Sequence, residues 1–171
     1  MADFYGTISD ADAYIATLAN GAAWPDASEA DRTNALTRAS RSMDGIYGAR
    51  FPGSKTGGRA QTLAWPRTGA SDQCTNETIP DDEVPVEIER ATYVLALAEL
   101  VTPGATSPSF TPGAVMKREK MDVMERERFG PNDGVSLSLE DMRPQFAAVE
   151  DALRCLLTKG QGGGSVCVLR Y

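Results

Sequence analysis

The stretch VEIERATYVLALAELV, Val86 to Val101, decides the fold. On a helix, its Ile88, Ala91, Tyr93, Val94, Leu95, Ala96, Leu97, Ala98 and Leu100 cover nearly every side. A helix of that kind is wrapped by its neighbours, because no single face could carry so much apolar surface against water. Asp81-Asp82-Glu83-Val84-Pro85 precedes it and sets negative charge and a proline where the helix dipole and the first turn accept them. Thr102-Pro103-Gly104 ends it. The rest of the chain must therefore supply the wrapping.

Working outward, three more segments have helical periodicity. Ser9-Asp10-Ala11-Asp12 carries a hydroxyl and an acid in a capping arrangement, and predicts a helix from Asp10 to Ala19 with Ala11, Tyr14, Ile15 and Leu18 inward and Asn20-Gly21 as its stop. Ser28-Glu29-Ala30-Asp31 repeats the signal before Leu36, Ala39, Met43, Ile46 and Tyr47, a longer amphipathic helix ending near Gly48. Pro144 can open a last helix whose Phe146, Val149, Leu153, Leu156 and Leu157 form one stripe ending by Lys159. From Ala114 to Phe129, Val115, Met121, Val123 and Phe129 share a strand face between runs of mixed charge, which favours a β-hairpin over a helix. Between Ala49 and Pro80 periodicity stops and Gly, Pro, Ser and Thr accumulate, so a long ordered loop is expected, with short strands around Thr62 to Trp65. The fold class is mainly α: a small bundle of about four helices with a long loop and a β-hairpin, plus an extended C-terminal tail. Residues 1–159 form the domain, and 160–171 a Gly-rich linker and tail.

Several functions drop out on composition. The 171 residues suit one domain. They contain no histidine, which removes every Ser/His/Asp or Cys/His triad. Cys74, Cys155 and Cys167 show no CxxC spacing, so a structural zinc is not expected and the thiols read as buried or idle in a reducing compartment. No apolar run approaches the roughly 20 residues needed to cross a bilayer, and the N-terminus lacks the pattern of an export signal. The net charge of -7 argues against general duplex binding, which relies on neutralising phosphates. Gly53-Ser54-Lys55-Thr56-Gly57-Gly58 lacks the order of a phosphate loop, and Gly163-Gly164-Ser165 lacks the flanks of a nucleophile elbow. Adjacent acids at Asp81, Asp82 and Glu83 are explained by the helix dipole better than by magnesium. An enzyme is not expected, and neither is a cofactor.

Two segments stand out as binding elements. No acid lies between Asp44 and Asp72, yet Arg50, Lys55, Arg59 and Arg67 do, giving a basic island in an acidic protein. Within it, Leu63-Ala64-Trp65-Pro66-Arg67-Thr68-Gly69 sets an indole beside a proline and a guanidinium. Trp65 could stack a base while arginine holds phosphate, or it could anchor the loop to the helices; local chemistry favours the anchor. After the glycine-rich linker, Val166-Cys167-Val168-Leu169-Arg170-Tyr171 is an apolar, β-prone strip that needs a docking place, either an edge on its own domain or another protein.

Tyr5-Gly6-Thr7-Ile8-Ser9-Asp10-Ala11-Asp12-Ala13-Tyr14, then Trp24, Leu63 to Gly69, Ile79-Pro80 with Val84-Pro85, and Met116-Lys117-Arg118-Glu119-Lys120 occur in an order that resembles the small head-tail adaptor, or head-completion, proteins of tailed bacteriophages. Some of those relatives carry the label DnaT-like single-stranded-DNA-binding protein. The likeness covers about residues 4 to 157. It implies a mostly helical subunit of a virion neck, assembled in the host cytoplasm as a twelve-fold ring under the portal. Such a ring extends the DNA channel without sequence-specific contact and offers a platform to the next neck or tail protein. It further implies that a C-terminal extension grips the portal, for which Val166, Cys167, Val168, Leu169, Arg170 and Tyr171 are the candidates. In that setting the basic loop, with Arg50, Lys55, Arg59, Trp65 and Arg67, is expected to be a partner contact that meets an acidic neighbour. The alternative expectation is a replication protein that binds single-stranded DNA through Trp65, Arg59 and Arg67.

Overall fold

The structure is a computed structural model that describes residues 3–107 and 145–158, with the strands 116–120 and 125–128 between them. Helix α1 spans Ile8–Ile15, α2 Glu29–Tyr47, α3 Val86–Val101 and α4 Ala147–Leu153. Helix α3 packs against α1, α2 and α4, the central place that its apolar circumference required. Ile88, Ala91, Tyr93, Leu95, Ala96 and Leu97 are all buried on it.

Helix α2 follows its sequence signals closely. Ser28 caps it by accepting from the Asp31 amide at 3.1 Å, and Leu36, Ala39, Met43 and Tyr47 are buried. Helix α1 starts two residues before its expected first residue and stops sooner than Ala19. Thr7, not Ser9, is the cap: its hydroxyl accepts from the Asp10 amide at 3.1 Å and donates to the Asp10 carboxylate at 2.6 Å. Both residues stand three before an acid, but the Asp12 carboxylate is taken by the Trp24 indole N–H at 2.7 Å and by Arg32 at 2.8 Å, whereas Asp10 is left to pair with Thr7. The early stop comes from Gly21, whose backbone lies so close to the Ile15 carbonyl that a Cβ there would collide with it. Gly6 is equally constrained, having φ +73° and the Tyr93 hydroxyl in the space a Cβ would need.

Helix α4 is shorter than its apolar stripe. Leu156 and Leu157 continue it in a tightened turn onto the Leu153 carbonyl at 2.8 and 3.1 Å, and Val149, Leu153, Leu156 and Leu157 are buried. The expected start at Pro144 falls outside the described residues. Within the segment read as a hairpin, β3, Met116–Lys120, runs antiparallel to β4, Glu125–Arg128, with an irregularity between Met116 and Arg118; the expected face residues Val115, Met121, Val123 and Phe129 lie outside the described residues. The register sets Arg118 opposite Glu127, Glu119 opposite Arg126 and Lys120 opposite Glu125.

Two more expectations need correction, and the loop adds one feature that none of them covered. The short strands lie on either side of Thr62–Trp65: β1, Ser54–Lys55, pairs antiparallel with β2, Arg67–Thr68. Numbered in chain order these precede the hairpin. Residues 62–65 need no ladder, because the Gln61 side-chain amide donates to the Leu63 and Pro66 carbonyls at 2.9 and 3.0 Å. The loop also holds one backbone isomer that the sequence reading lacked, a cis Trp65-Pro66 bond. Finally, Cys74 and Cys155 are joined in a disulfide across 81 positions, with Cα atoms 5.2 Å apart, and so are not idle thiols. Helix α4 brings position 155 beside the turn at 71–78, and no spacing rule encodes a pairing over that distance. Cys167 lies outside the described residues.

At the end of α3, Glu99 is buried at 2% exposure. Its carboxylate accepts from the Thr106 amide and hydroxyl at 2.8 and 2.6 Å, from the Gly104 amide at 3.1 Å and from Arg38 Nε at 3.3 Å. These bonds fold the turn after α3 back against α2. Burial pushes its carboxyl up, but the hydrogen bonds from Thr106, Gly104 and Arg38 outweigh that and hold it below the usual range.

Candidate functional site

The basic loop is built on the N-terminal segment and α2. Asp44, on the last turns of α2, accepts from the Tyr5 hydroxyl at 2.6 Å and from the Ala64 amide at 2.7 Å. The same Tyr5 hydroxyl accepts from the Trp65 amide at 3.1 Å, and the Tyr5 amide donates to Ser40 Oγ at 3.0 Å. One carboxylate and one phenol thus fix consecutive amides of the Leu63–Gly69 motif. Burial pushes the Asp44 carboxyl up, and the Tyr5 and Ala64 hydrogen bonds only partly offset it. Burial and the neighbouring Asp44 also drive the Tyr5 phenol far above its ordinary value, so it stays a donor at all accessible pH.

Trp65 is 1% exposed and packs edge-on against Phe51 with ring centroids 5.7 Å apart. Its indole N–H has no hydrogen-bond partner among the described residues. Arg67 is 8% exposed. Its guanidinium donates to the carbonyls of Pro52 at 2.6 Å, Gly53 at 2.6 Å, Ala64 at 3.2 Å and Phe51 at 3.4 Å. Five donors in a planar fork suit arginine to gathering several carbonyls of a loop that has few of its own ladders. Lys55 is half-buried and donates to the Gln61 and Thr62 carbonyls at 3.0 and 3.4 Å. Arg59 is exposed, and Arg50 is half-buried with its guanidinium 3.8 Å from Glu150. Of the five basic-loop residues, Trp65 and Arg67 therefore face inward, and Arg50 and Arg59 are the ones a partner could reach. The tail residues Val166 to Tyr171 fall outside the described residues.

The whole chain, residues 1–171, matches the family model described as "Putative DnaT-like ssDNA binding protein". It belongs to that family. Comparison with curated proteins and with solved structures gives no match. The family description agrees with the single-stranded-DNA label that the sequence resemblance carried, and it contains no word of a phage neck.

In this DnaT-like chain a cavity of about 550 Å³ opens between the N-terminal segment and the loop, bounded by Phe4, Gly57, Leu63, Trp65, Val84 and Glu89. Its wall is largely apolar, and burial raises the Glu89 carboxyl. Asp81, Asp82 and Glu83 are exposed ahead of α3. Among the described residues the one cluster of metal-type ligands is Asp72, Cys74 and Cys155, and its two sulfurs are bonded to each other. Tyr5, Asp44 and Gln61 are the site residues that the sequence reading missed. Asp44 had a signal, since it is the last acid before the basic island, in the position of a counter-charge to it.

Proposed function

We propose that this DnaT-like chain is a non-catalytic assembly subunit, the ring-forming head-tail adaptor that its resemblance implies. Its partners in this reading are copies of itself, the portal and the next neck or tail protein, and packaged DNA passes it without sequence-specific contact. The observation that carries the reading is the inward placement of Trp65 and Arg67. The motif on which base stacking would rest is an internal brace, and every aromatic ring among the described residues is buried or half-buried. Binding single strands without histidine or metal chemistry relies on exposed rings and a cationic groove, whereas a net charge of -7 suits a passage that repels phosphate. A braced loop that presents Arg50 and Arg59 suits contact with an acidic neighbour.

Light scattering of the full chain, alone and with portal, tests the proposal. A ring or a portal complex is expected, and a chain that stays monomeric in both would overturn it. Removing residues 160–171 should leave a folded domain that no longer enters particles; normal incorporation would remove the tail from this role.

The second reading, single-stranded DNA binding, has the family description directly in its favour. A salt titration separates the two. Tight binding that weakens steeply with salt and is lost in Arg59→Glu, with the helical signal unchanged, would put the DNA reading first. Arg59 is the residue to change because it is exposed, whereas Trp65→Ala would unfold the loop and report nothing about DNA.

A further inference from the structure

Asp72, Cys74 and Cys155 set one carboxylate oxygen and two sulfurs within 4.8 Å of one another, and more than the disulfide holds them there. Asp72 Oδ1 accepts from the Cys74 and Thr75 amides, each at 2.7 Å, which leaves the second carboxylate oxygen of this fixed turn to a cation. The Asp72 amide donates to the Glu77 carbonyl at 2.9 Å, and its carbonyl accepts from the Asn76 amide at 2.8 Å. Across the gap, the Gln73 amide donates to the Cys155 carbonyl at 2.6 Å. Position 155 is held from its own side by Leu153, Leu156 and Leu157, all buried, and by Thr158, which donates twice to the Arg50 carbonyl at 2.8 Å. The two backbones therefore stay together when the sulfurs part. Their Cα atoms are 5.2 Å apart, and two thiolates on a tetrahedral zinc ion lie about 3.7 Å from each other, a separation that side-chain rotation supplies. The spacing of the cysteines in sequence argued against zinc, and the fold provides what the spacing lacks.

We propose that the reduced protein binds a zinc ion through Cys74 Sγ, Cys155 Sγ and the Asp72 carboxylate. A dithiol reductant gives two electrons and two protons: the Cys74–Cys155 bond breaks, each sulfur becomes a thiol, and the reductant closes into its own disulfide. Zinc then takes the place of the two thiol protons, which pass to water. Two thiolates and a carboxylate suit zinc, whereas magnesium and calcium take oxygen alone. Water is the fourth ligand, entering from the cavity of about 540 Å³ that Cys74 lines with Arg50, Glu150 and Arg154. The three anionic ligands outweigh the ion by one charge, and the exposed Arg154 guanidinium on the same cavity wall offsets it. The turn at 71–78 and the end of α4 thus have two exchangeable clasps, a covalent bond where the surroundings oxidise and a metal where they reduce.

Cobalt(II) titration of the full chain tests this. The protein is reduced with dithiothreitol, freed of it by gel filtration without air, and titrated with cobalt and then with zinc. One cobalt per chain is expected, with thiolate-to-cobalt charge-transfer absorption and tetrahedral visible bands that zinc abolishes. The oxidised chain gives neither, and neither do reduced Cys74→Ser and Cys155→Ser. Asp72→Asn, whose Oδ1 still accepts from the turn amides, binds at least about 10-fold more weakly, since the loss of even an outer-shell partner costs a metal site that much. Cys167→Ser binds as the unchanged chain does. Absence of thiolate-cobalt absorption in the reduced chain overturns the proposal, and so does absorption that survives Cys155→Ser or disappears in Cys167→Ser. One cobalt shared by two chains overturns a site within one chain, and unchanged affinity in Asp72→Asn overturns the carboxylate as a ligand. A reduced chain that loses its helical signal and does not regain it with zinc also overturns the proposal, because an ion that binds only the folded form must favour folding.

Discussion

The helical bundle and the loop between α2 and α3 order their chains by different means. In the bundle, buried apolar side chains on α1 to α4 share the work, and each contributes a modest part. In the loop, strands of two residues give almost no ladder, and order is concentrated in Tyr5, Asp44, Gln61, Trp65, Arg67 and the Cys74–Cys155 bond. A region built the first way tolerates small changes at many positions. One built the second way has few sensitive positions, each severe.

Removing the disulfide with Cys74→Ser and Cys155→Ser together has the largest expected effect. For a closed loop of this length the chain-entropy treatment gives about 4 kcal/mol, measurable as a lower midpoint in chemical denaturation without reductant. Arg67→Met comes next, at about 3 kcal/mol, because the carbonyls of Phe51, Pro52, Gly53 and Ala64 lose a shared donor in a buried place. Hydrogen exchange should locate its loss in residues 50–70 first. A purely global loss, uniform with the bundle, would break the contrast drawn above.

Two carboxylates, the buried Glu99 and the half-buried Asp44, sharpen it. Glu99 sits below its ordinary value of 4.5, so its contribution is present above that value and is lost as pH falls through the folded one. Asp44 sits above its ordinary 3.8. Its contribution is present below 3.8 and is lost as pH rises through the folded value. Glu99→Gln should cost about 2 kcal/mol at neutral pH, with the deficit shrinking on acidification. Asp44→Asn should cost about 1 kcal/mol in acid, with the deficit shrinking as pH rises. Denaturation of both variants between pH 3 and 7 checks the opposite slopes, and parallel slopes would mean that the two sites are not different in kind. An effect as small as that of Asp44→Asn belongs to the bundle: Ile88→Val, at a fully buried position of α3, costs about 1 kcal/mol.

The sequence made the bundle legible because its signals are local. Ser28 with Asp31, the circumference of Val86 to Val101 and the stripe from Val149 to Leu157 each lie within one helix, where periodicity and capping operate. The anchoring of Trp65 was also readable, since an indole beside a proline in an aperiodic stretch has few other ways to avoid water. What escaped was non-local. Asp44 meets Ala64, Tyr5 meets Trp65, and Cys74 meets Cys155 only after the helices have assembled. The cap of α1 escaped for a smaller reason, two capping residues standing two positions apart.

The bond between Cys74 and Cys155 also makes the stretch between them a covalent ring that contains α3 and both hairpin strands. A protease that cut once inside that ring would linearise it without shedding a fragment. Such a nicked molecule would gain only the mass of one water and would stay a single covalent species until a thiol reductant separated the halves.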